Sequence, residues 1–389
     1  MIHQTQTGTG ACPHLPALDG VRGLACAIVL ACHVTLDGFP GGWVGVDLFF
    51  VLSGYLITSI LLREYERKGR ISLSRFYLRR LLRLTPALLF FLAIYSITPR
   101  FNEQPDHPTP VLYALLYITN WVMSLSPGKA GALGHTWSLG VEEQFYLLWP
   151  ILLVIILGFS LKNRCFVIVV ALIGLVLSWR VFLVLNGATA HRTFYGFDTR
   201  VDTVLIGCAL AIWLSTATPT THQGIKWVAR ASPLLLISLV VLIFSLDWNT
   251  AAVNSVGFTI IGVWSAAIIV AAIAPGPNML KTIFNWPPLI ALGGISYGVY
   301  LWHVPIIHIL RDYLQHPISL LFATGVASAG TAAVSYYVIE HPFLRLKLRY
   351  SATEPPPPRS DRFRFWHVRH EALSKDRPGR IHQVLCPRR

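Results

Sequence analysis

Charge is what this sequence has little of. Asp, Glu, Lys and Arg make up 13% of its 389 residues, whereas a soluble domain uses about 25% to cover its surface. Hydrophobic residues reach 54% and mean hydropathy is +0.55, which excludes a string of two or three soluble domains. A secreted disulfide framework is missing as well. Cys26, Cys32 and Cys208 lie inside apolar runs and Cys165 opens another, as small buried hydrophobes do. No internal repeat of convincing period is present, which counts against a transporter built from inverted halves. The first 17 residues lack a basic n-region, and no small-residue cleavage pattern follows the first apolar run. That run therefore reads as a retained helix. The class left is a polytopic membrane protein.

The charge that is present is concentrated. Net charge is +14. Between Arg63 and Arg83 eight cations face Glu64 and Glu66, a net +6; from Arg345 to Arg389 twelve cations face four acids, a net +8. Both blocks adjoin apolar runs, so the positive-inside rule places them on the cytoplasmic side. Membrane lipids with anionic headgroups are the partners such blocks call for, and no nucleic acid is expected.

Apolar runs of about 20 residues span a bilayer. They fall at 21–36, 43–62, 81–97, 142–159 (entered from Thr136), 165–185, 234–246 with its flanks, 253–273, 289–310 and 319–339. Two shorter runs are ambiguous: 111–125, which holds Asn120, and 201–215, which holds Asp202. Counting both gives eleven spans and puts the two basic blocks on opposite sides. Excluding 111–125 restores their common side. The expected fold is all-α, a polytopic membrane helical bundle of about ten transmembrane helices, with 111–125 as an additional re-entrant or short helix. Both termini are then cytoplasmic. Residues 1–17 form a short cytoplasmic segment and 18–343 the membrane-embedded domain. Residues 344–389, with four prolines at 355–358 and mixed charge after them, read as a disordered basic tail.

Ionisable groups inside a bilayer are costly and usually face a cavity or a partner. Arg22 and His33 are eleven residues apart on the first helix, about 1100° or three turns plus 20°, so they share a face about 16 Å apart. Read singly, one is a snorkelling arginine and the other a core histidine. Asp47 enters with the second helix. His135 and Glu142, seven apart, share a face of the segment His135-Thr136-Trp137-Ser138-Leu139-Gly140-Val141-Glu142-Glu143, and His303 falls in the same half of the membrane. His33, Asp47, His135, Glu142 and His303 thus converge in depth. At the opposite boundary Arg75, Arg79, Arg80 and Arg83 open the third helix. Guanidinium groups there suit phosphates, or serve as lipid anchors. A phosphate-sized basic mouth inside and a His/carboxylate cluster outside suit a reaction with a cytosolic phosphorylated donor and an acceptor beyond the membrane.

The sequence resembles the acyltransferase 3 family of bacterial membrane acyltransferases over residues 15–343. The resemblance rests on Leu18-Asp19-Gly20-Val21-Arg22-Gly23-Leu24-Ala25 followed by His33, the family's Arg-ten-residues-His pattern. It rests also on the run Val44-Gly45-Val46-Asp47-Leu48-Phe49-Phe50-Val51-Leu52-Ser53-Gly54-Tyr55, on 75–86, on 135–146, on Ser296-Tyr297-Gly298-Val299-Tyr300-Leu301-Trp302-His303, and on Ile339-Glu340-His341-Pro342-Phe343. His341 departs from the arginine common at that position. The resemblance implies transfer of an acyl group, most often acetyl, from cytosolic acyl-CoA to a hydroxyl of a carbohydrate, glycolipid or related acceptor. Some members carry a fused hydrolase-like domain. The 46 residues after Phe343 leave no room for one, so a second transfer step is expected to need a separate protein.

On this reading Arg75, Arg79, Arg80 and Arg83 bind acyl-CoA, with Arg22 further along its path. His33 is the general base for the acceptor hydroxyl, since imidazole titrates near neutral pH. Glu142 is the carboxylate that would orient it, as in a hydrolase triad. Arg22, Asp47, His135, Glu143 and His303 are assigned to substrate binding. No metal and no resident cofactor are expected; acyl-CoA, as acetyl-CoA, is a substrate. Direct transfer and an acyl-enzyme on His33 or a nearby serine are both open. A transporter or flippase of a sugar-linked or acidic substrate, and a glycosyltransferase using a lipid-phosphate sugar, are the rival readings.

Overall fold

The computed structural model describes residues 15–35, 38–98, 109–159, 164–216 and 218–345. The segment 1–14 and the tail from 346 onward lie outside the described residues. Among the described residues the chain is helical, with no strand. Its elements are α1 (Pro16–Thr35), α2 (Val44–Lys68), α3 (Leu73–Ile97), α4 (Thr109–Leu115), α5 (Thr119–Leu125), a 3₁₀ turn (Gly131–Thr136) leading into α6 (Trp137–Gly158), and α7 (Cys165–Leu185). Then follow α8 (Ala190–Tyr195), α9 (Phe197–Ser215), α10 (Pro219–Arg230), α11 (Ser232–Ser245), a π turn (Val253–Gly257) leading into α12 (Phe258–Ile273), α13 (Met279–Phe284), α14 (Pro287–Gly294), α15 (Ser296–Arg311) and α16 (Pro317–Ser335) with a π turn (Tyr336–Glu340).

Seven of these helical segments are long and apolar enough to cross a membrane, and two bent pairs, α10 with α11 and α14 with α15, make nine. The 19-residue α9 is of spanning length too, but carries Asp198, Arg200 and Asp202. Together these make ten segments of crossing length. Two features refine the sequence expectation. The run 289–310 is broken at Ile295, where the axis turns by 78°. The run 111–125 is split into α4 and α5, two helices of seven residues each, by Tyr117 at φ 56°. The backbone freed by that break cannot be left bare in an apolar medium. Gln144 of α6 answers it: its Nε2 donates to the Tyr117 carbonyl at 2.8 Å and to Asn120 Oδ1 at 2.9 Å.

Two backbone crossings set the frame. At Gly23 and Gly293 α1 and α14 touch through main chain, and a Cβ at either would collide with the carbonyl of Leu289 or Asp19. At Gly54 and Gly207 α2 and α9 do the same, against the carbonyls of Val204 and Val51. Small residues permit such close approach, which replaces the hydrophobic driving force that lipid does not supply. Outward faces carry exposed apolar side chains such as Leu147, Leu148, Ile151 and Ile155 of α6, as a lipid-facing surface requires. The α2–α3 hairpin carries the basic block. It turns on Gly69, whose φ of 68° closes the α2 C-terminus onto the Tyr65 carbonyl. Glu64 then accepts the Ser72 N–H at 3.1 Å, at the start of α3.

Candidate active site

The site is built on α1, α2, α3, α6 and α15. His33 stands in the last turn of α1, half-buried, with Nδ1 2.9 Å from the Val29 carbonyl. A carbonyl only accepts, so Nδ1 carries the proton and Nε2 keeps its lone pair. Nε2 makes no hydrogen bond among the described residues. Two further imidazoles stand behind it. The His303 ring lies 4.9 Å from that of His33, edge to face, and the His135 ring 5.4 Å from that of His303. His303 Nδ1 faces the Tyr300 carbonyl at 2.7 Å. His135 is held between the carbonyls of Ala132 at 3.1 Å and Leu301 at 3.2 Å. Tyr300 donates its hydroxyl to the His135 carbonyl at 2.6 Å, so the 2.5 Å contact with Ser138 is a bond that Ser138 donates.

The three predicted histidines therefore come together, but not as equals. His303 is 1% exposed and His135 6%, so both back His33 and neither presents an edge to an acceptor. The crossing of α1 and α15 explains this: α15 runs beside α1, with Arg311 at its far end donating to the His33 and Val34 carbonyls at 3.3 and 3.4 Å.

Glu142 does not join this group. It accepts the hydroxyl of Ser53, and Tyr146 donates to Ser53 Oγ at 2.7 Å. No hydrogen bond links it to His33 among the described residues. The reason is axial: α6 descends from His135, so seven residues carry Glu142 about 10 Å away from the imidazoles, toward the arginines. Arg80, Arg22 and Arg83 lie within its electrostatic reach. The Arg80 guanidinium stacks 3.4 Å above the Tyr146 ring, and its Nε approaches Glu143 at 3.7 Å. Glu143 thus belongs with Arg80 and not with the acceptor end. Ser53 is a site residue that the sequence reading did not single out, since a serine in an apolar helix carries no signal by itself.

At the basic end the four predicted arginines divide. Arg80 and Arg83 turn toward α1, where Arg83 shares its surroundings with Arg22, Arg80, Asp19 and Glu340. Arg22 is paired with Asp19 at 3.1 Å. Arg79 is held by Glu64 at 3.4 Å, and Arg75 is exposed in the first turn of α3. Arg22, Arg80, Glu143, Ser53, Glu142 and His33 are each half-buried while their chain neighbours Val21, Gly23, Leu52, Gly54 and Val141 are buried. Taken in order from the arginines to the imidazole, these half-buried side chains form a polar row, or seam, through the bundle.

Asp47 stands apart from these groups. Its carboxylate pairs with Arg200 of α9 at 2.9 Å, and both side chains are 0% exposed. A second sealed pair joins Arg180 of α7 to Asp202 at 2.9 Å, with Thr259, Thr199 and Ser255 completing the guanidinium's partners. Asp47 is thus packed away from the half-buried row that holds His33 and Glu142. In a low-dielectric interior an acid must find its cation, and α9 supplies it through the Gly54–Gly207 crossing. Arg200 stands 153 residues from Asp47 along the chain and Arg180 22 residues from Asp202, so neither pair follows from helical spacing.

A polytopic helical protein with guanidinium groups at one end of a row of half-buried polar side chains, and at the other an imidazole nitrogen without a hydrogen bond among the described residues, has the parts of a membrane group-transfer protein. The chain belongs to the acyltransferase domain family, whose model matches residues 15–340. It is 33% identical over 348 residues to the peptidoglycan O-acetyltransferase OatA of Listeria monocytogenes, covering 85% of this chain and 56% of that protein. Over 348 residues it is also 33% identical to the O-acetyltransferase OatA of Staphylococcus aureus, covering 85% and 57%. The chain thus spans little more than half the length of these relatives. No solved structure matches it.

Proposed function

We propose that this protein transfers an acetyl group from acetyl-CoA, entering at the arginine end, to a carbohydrate hydroxyl at the histidine end, with His33 as general base. The observation that carries the reading is the free Nε2 of His33 at the end of a seam that begins at Arg22, Arg80 and Arg83. The relatives' O-acetyltransferase names, one of them for peptidoglycan, support acetyl as the group and a surface glycan as the acceptor class. The two basic blocks support a cytoplasmic arginine end in the bacterial inner membrane, with both termini on that side.

In the reaction the acceptor O–H gives its proton to His33 Nε2 as the oxygen attacks the thioester carbonyl. The Nδ1–H held by the Val29 carbonyl keeps the ring in the tautomer that can accept. Collapse of the tetrahedral intermediate breaks the C–S bond, and the imidazolium returns the proton to the departing thiolate. His303 limits rotation of the ring by packing against it at 4.9 Å, edge to face.

The test is turnover of radiolabelled acetyl-CoA by the full chain in proteoliposomes supplied with glycan fragments. The expected result is label on the glycan with release of free CoA, lost in His33→Ala. Movement of a glycan or lipid-linked sugar across the membrane without CoA release would replace this reading by a transporter.

A further inference from the structure

Halfway along the seam sits a polar cluster that base catalysis by His33 does not use: Ser53 of α2 with Glu142 and Tyr146 of α6. Its hydrogen bonds have one direction. Tyr146 donates to Ser53, and Ser53 donates to Glu142. The serine hydroxyl is thereby spent on the carboxylate and fixes which of the two carboxylate oxygens is occupied. The other, Oε2, has no hydrogen bond among the described residues and is not sealed, and Glu142 itself is half-buried. A carboxylate oxygen held in place by Ser53, partly exposed and without a hydrogen bond among the described residues, can accept a donor from a ligand.

The axial distances say which donor. From Arg22 to His33 is about 16 Å, and Glu142 lies about 10 Å below the level of the imidazoles. The pantetheine arm of CoA has twelve bonds between its pyrophosphate oxygen and its sulfur, the backbone length of four extended residues or about 14 Å. With phosphates at Arg22 and Arg83 and the thioester at His33, the arm fills the seam. Its outer amide nitrogen lies seven bonds from the sulfur, about 8 Å, and reaches the level of Glu142. Its inner amide nitrogen is three bonds away and stays near the imidazoles.

We propose that Glu142, oriented by Ser53 and Tyr146, is the binding residue for the outer pantetheine amide N–H of the acyl donor. This rests on the acyl-CoA reading above and assigns Glu142 to donor recognition, in place of the role of orienting His33. Removing a hydrogen bond to a charged group costs about ten- to a hundred-fold in affinity.

Three acetyl donors test it: acetyl-CoA, acetyl-pantetheine, which keeps both amides but lacks the nucleotide phosphates, and the acetyl thioester of N-acetylcysteamine, which keeps only the inner amide. Glu142→Ala is expected to raise KM about ten- to a hundred-fold for the first two donors with kcat little changed, and to leave kcat/KM for the third within about threefold of wild type. Ser53→Ala, which frees the carboxylate to turn without removing it, is expected to give the same pattern at a smaller size. Equal losses with all three donors, or a lowered kcat at unchanged KM, would overturn the assignment and place Glu142 at the reacting atoms. An acetyl ester found on Ser53 by intact-mass and peptide analysis would overturn it too, in favour of an acyl-enzyme. If Glu142→Ala fails to insert, Glu142→Gln and Ser53→Ala carry the comparison, because neither removes the side chain's volume from α6. Wild type that turns over none of the three donors refutes the acyl-CoA reading itself, an outcome distinct from turnover that is indifferent to Glu142.

Discussion

His33 Nδ1 and the Val29 carbonyl, one helical turn apart on α1, meet at 2.9 Å. That bond chooses the tautomer, so the nitrogen left to act is Nε2. His33→Ala removes the base and is expected to lower glycan acetylation about 10²- to 10⁴-fold. Acetyl-CoA affinity should stay within about threefold, because the donor's phosphates are held at the other end. Labelled transfer and equilibrium binding, measured on the same preparation, check both halves. A His33→Ala protein that binds donor normally and still transfers at the wild-type rate would remove the base from the scheme.

Asp47 and Arg200 form a sealed ion pair between α2 and α9. Deleting one partner of such a pair leaves a buried charge and costs about 3–5 kcal/mol, whereas replacing both by apolar groups is often neutral. Asp47→Ala is therefore expected to lower the unfolding midpoint in detergent markedly, and Asp47→Leu with Arg200→Met to recover most of the loss. Thermal unfolding followed by size-exclusion fluorescence reads the difference. A double variant as unstable as the single one would mean the charges have a role beyond satisfying each other.

Much of the fold was legible because membrane spans follow from hydropathy and the common side of the two basic blocks. The irregular role of 111–125 was legible for the same reason: a 15-residue run with Asn120 inside it is too short and too polar to cross. The break at Ile295 was not, since apolar residues continue on both sides of it and only packing against α1 shows the bend. In the site, periodicity placed His33 above Arg22 on one helix and His135 above Glu142 on another. It could not place one helix against its neighbour. Spacing alone therefore leaves the partners of Glu142 and Asp47 open, whereas in the structure α6 carries Glu142 to Ser53 and α9 brings Arg200 to Asp47. Tertiary pairing decided both, through Ser53 and Arg200.

Arg83 and Arg79 stand one turn apart on α3, yet only Arg79 is held by an acid, Glu64 at 3.4 Å. Arg83 is exposed and shares its surroundings with Arg22 and Arg80. Charge reversal in Arg83→Glu is expected to weaken acetyl-CoA binding about tenfold or more, as loss of a charge-assisted phosphate contact does, and Arg79→Ala by less than about twofold. The Arg83 effect should shrink as salt is raised, because ions screen charges near water. Titration calorimetry at two ionic strengths reads both. Equal effects of the two variants would make these arginines lipid anchors.

Gly54 and Gly207 let α2 and α9 cross with backbone against backbone, and this crossing carries Ser53 on one side and the Asp47–Arg200 pair on the other. A Cβ at Gly54 meets the Val204 carbonyl, which belongs to helix backbone and cannot swing aside. Overpacking of this kind costs about 1–3 kcal/mol or more. At Gly330 of α16 the same Cβ meets open space. Gly54→Val should therefore lower the yield of folded protein sharply, while Gly330→Val stays close to wild type apart from the small change in helix propensity. Gly54→Ala, which adds only one carbon, separates packing from chemistry. Where it folds, the helices are pushed apart, Ser53 moves off Glu142, and the donor KM should rise while a short thioester lacking the outer amide is used as before. Monodispersity after extraction reports the fold, and the ratio of the two donors' kcat/KM reports the seam.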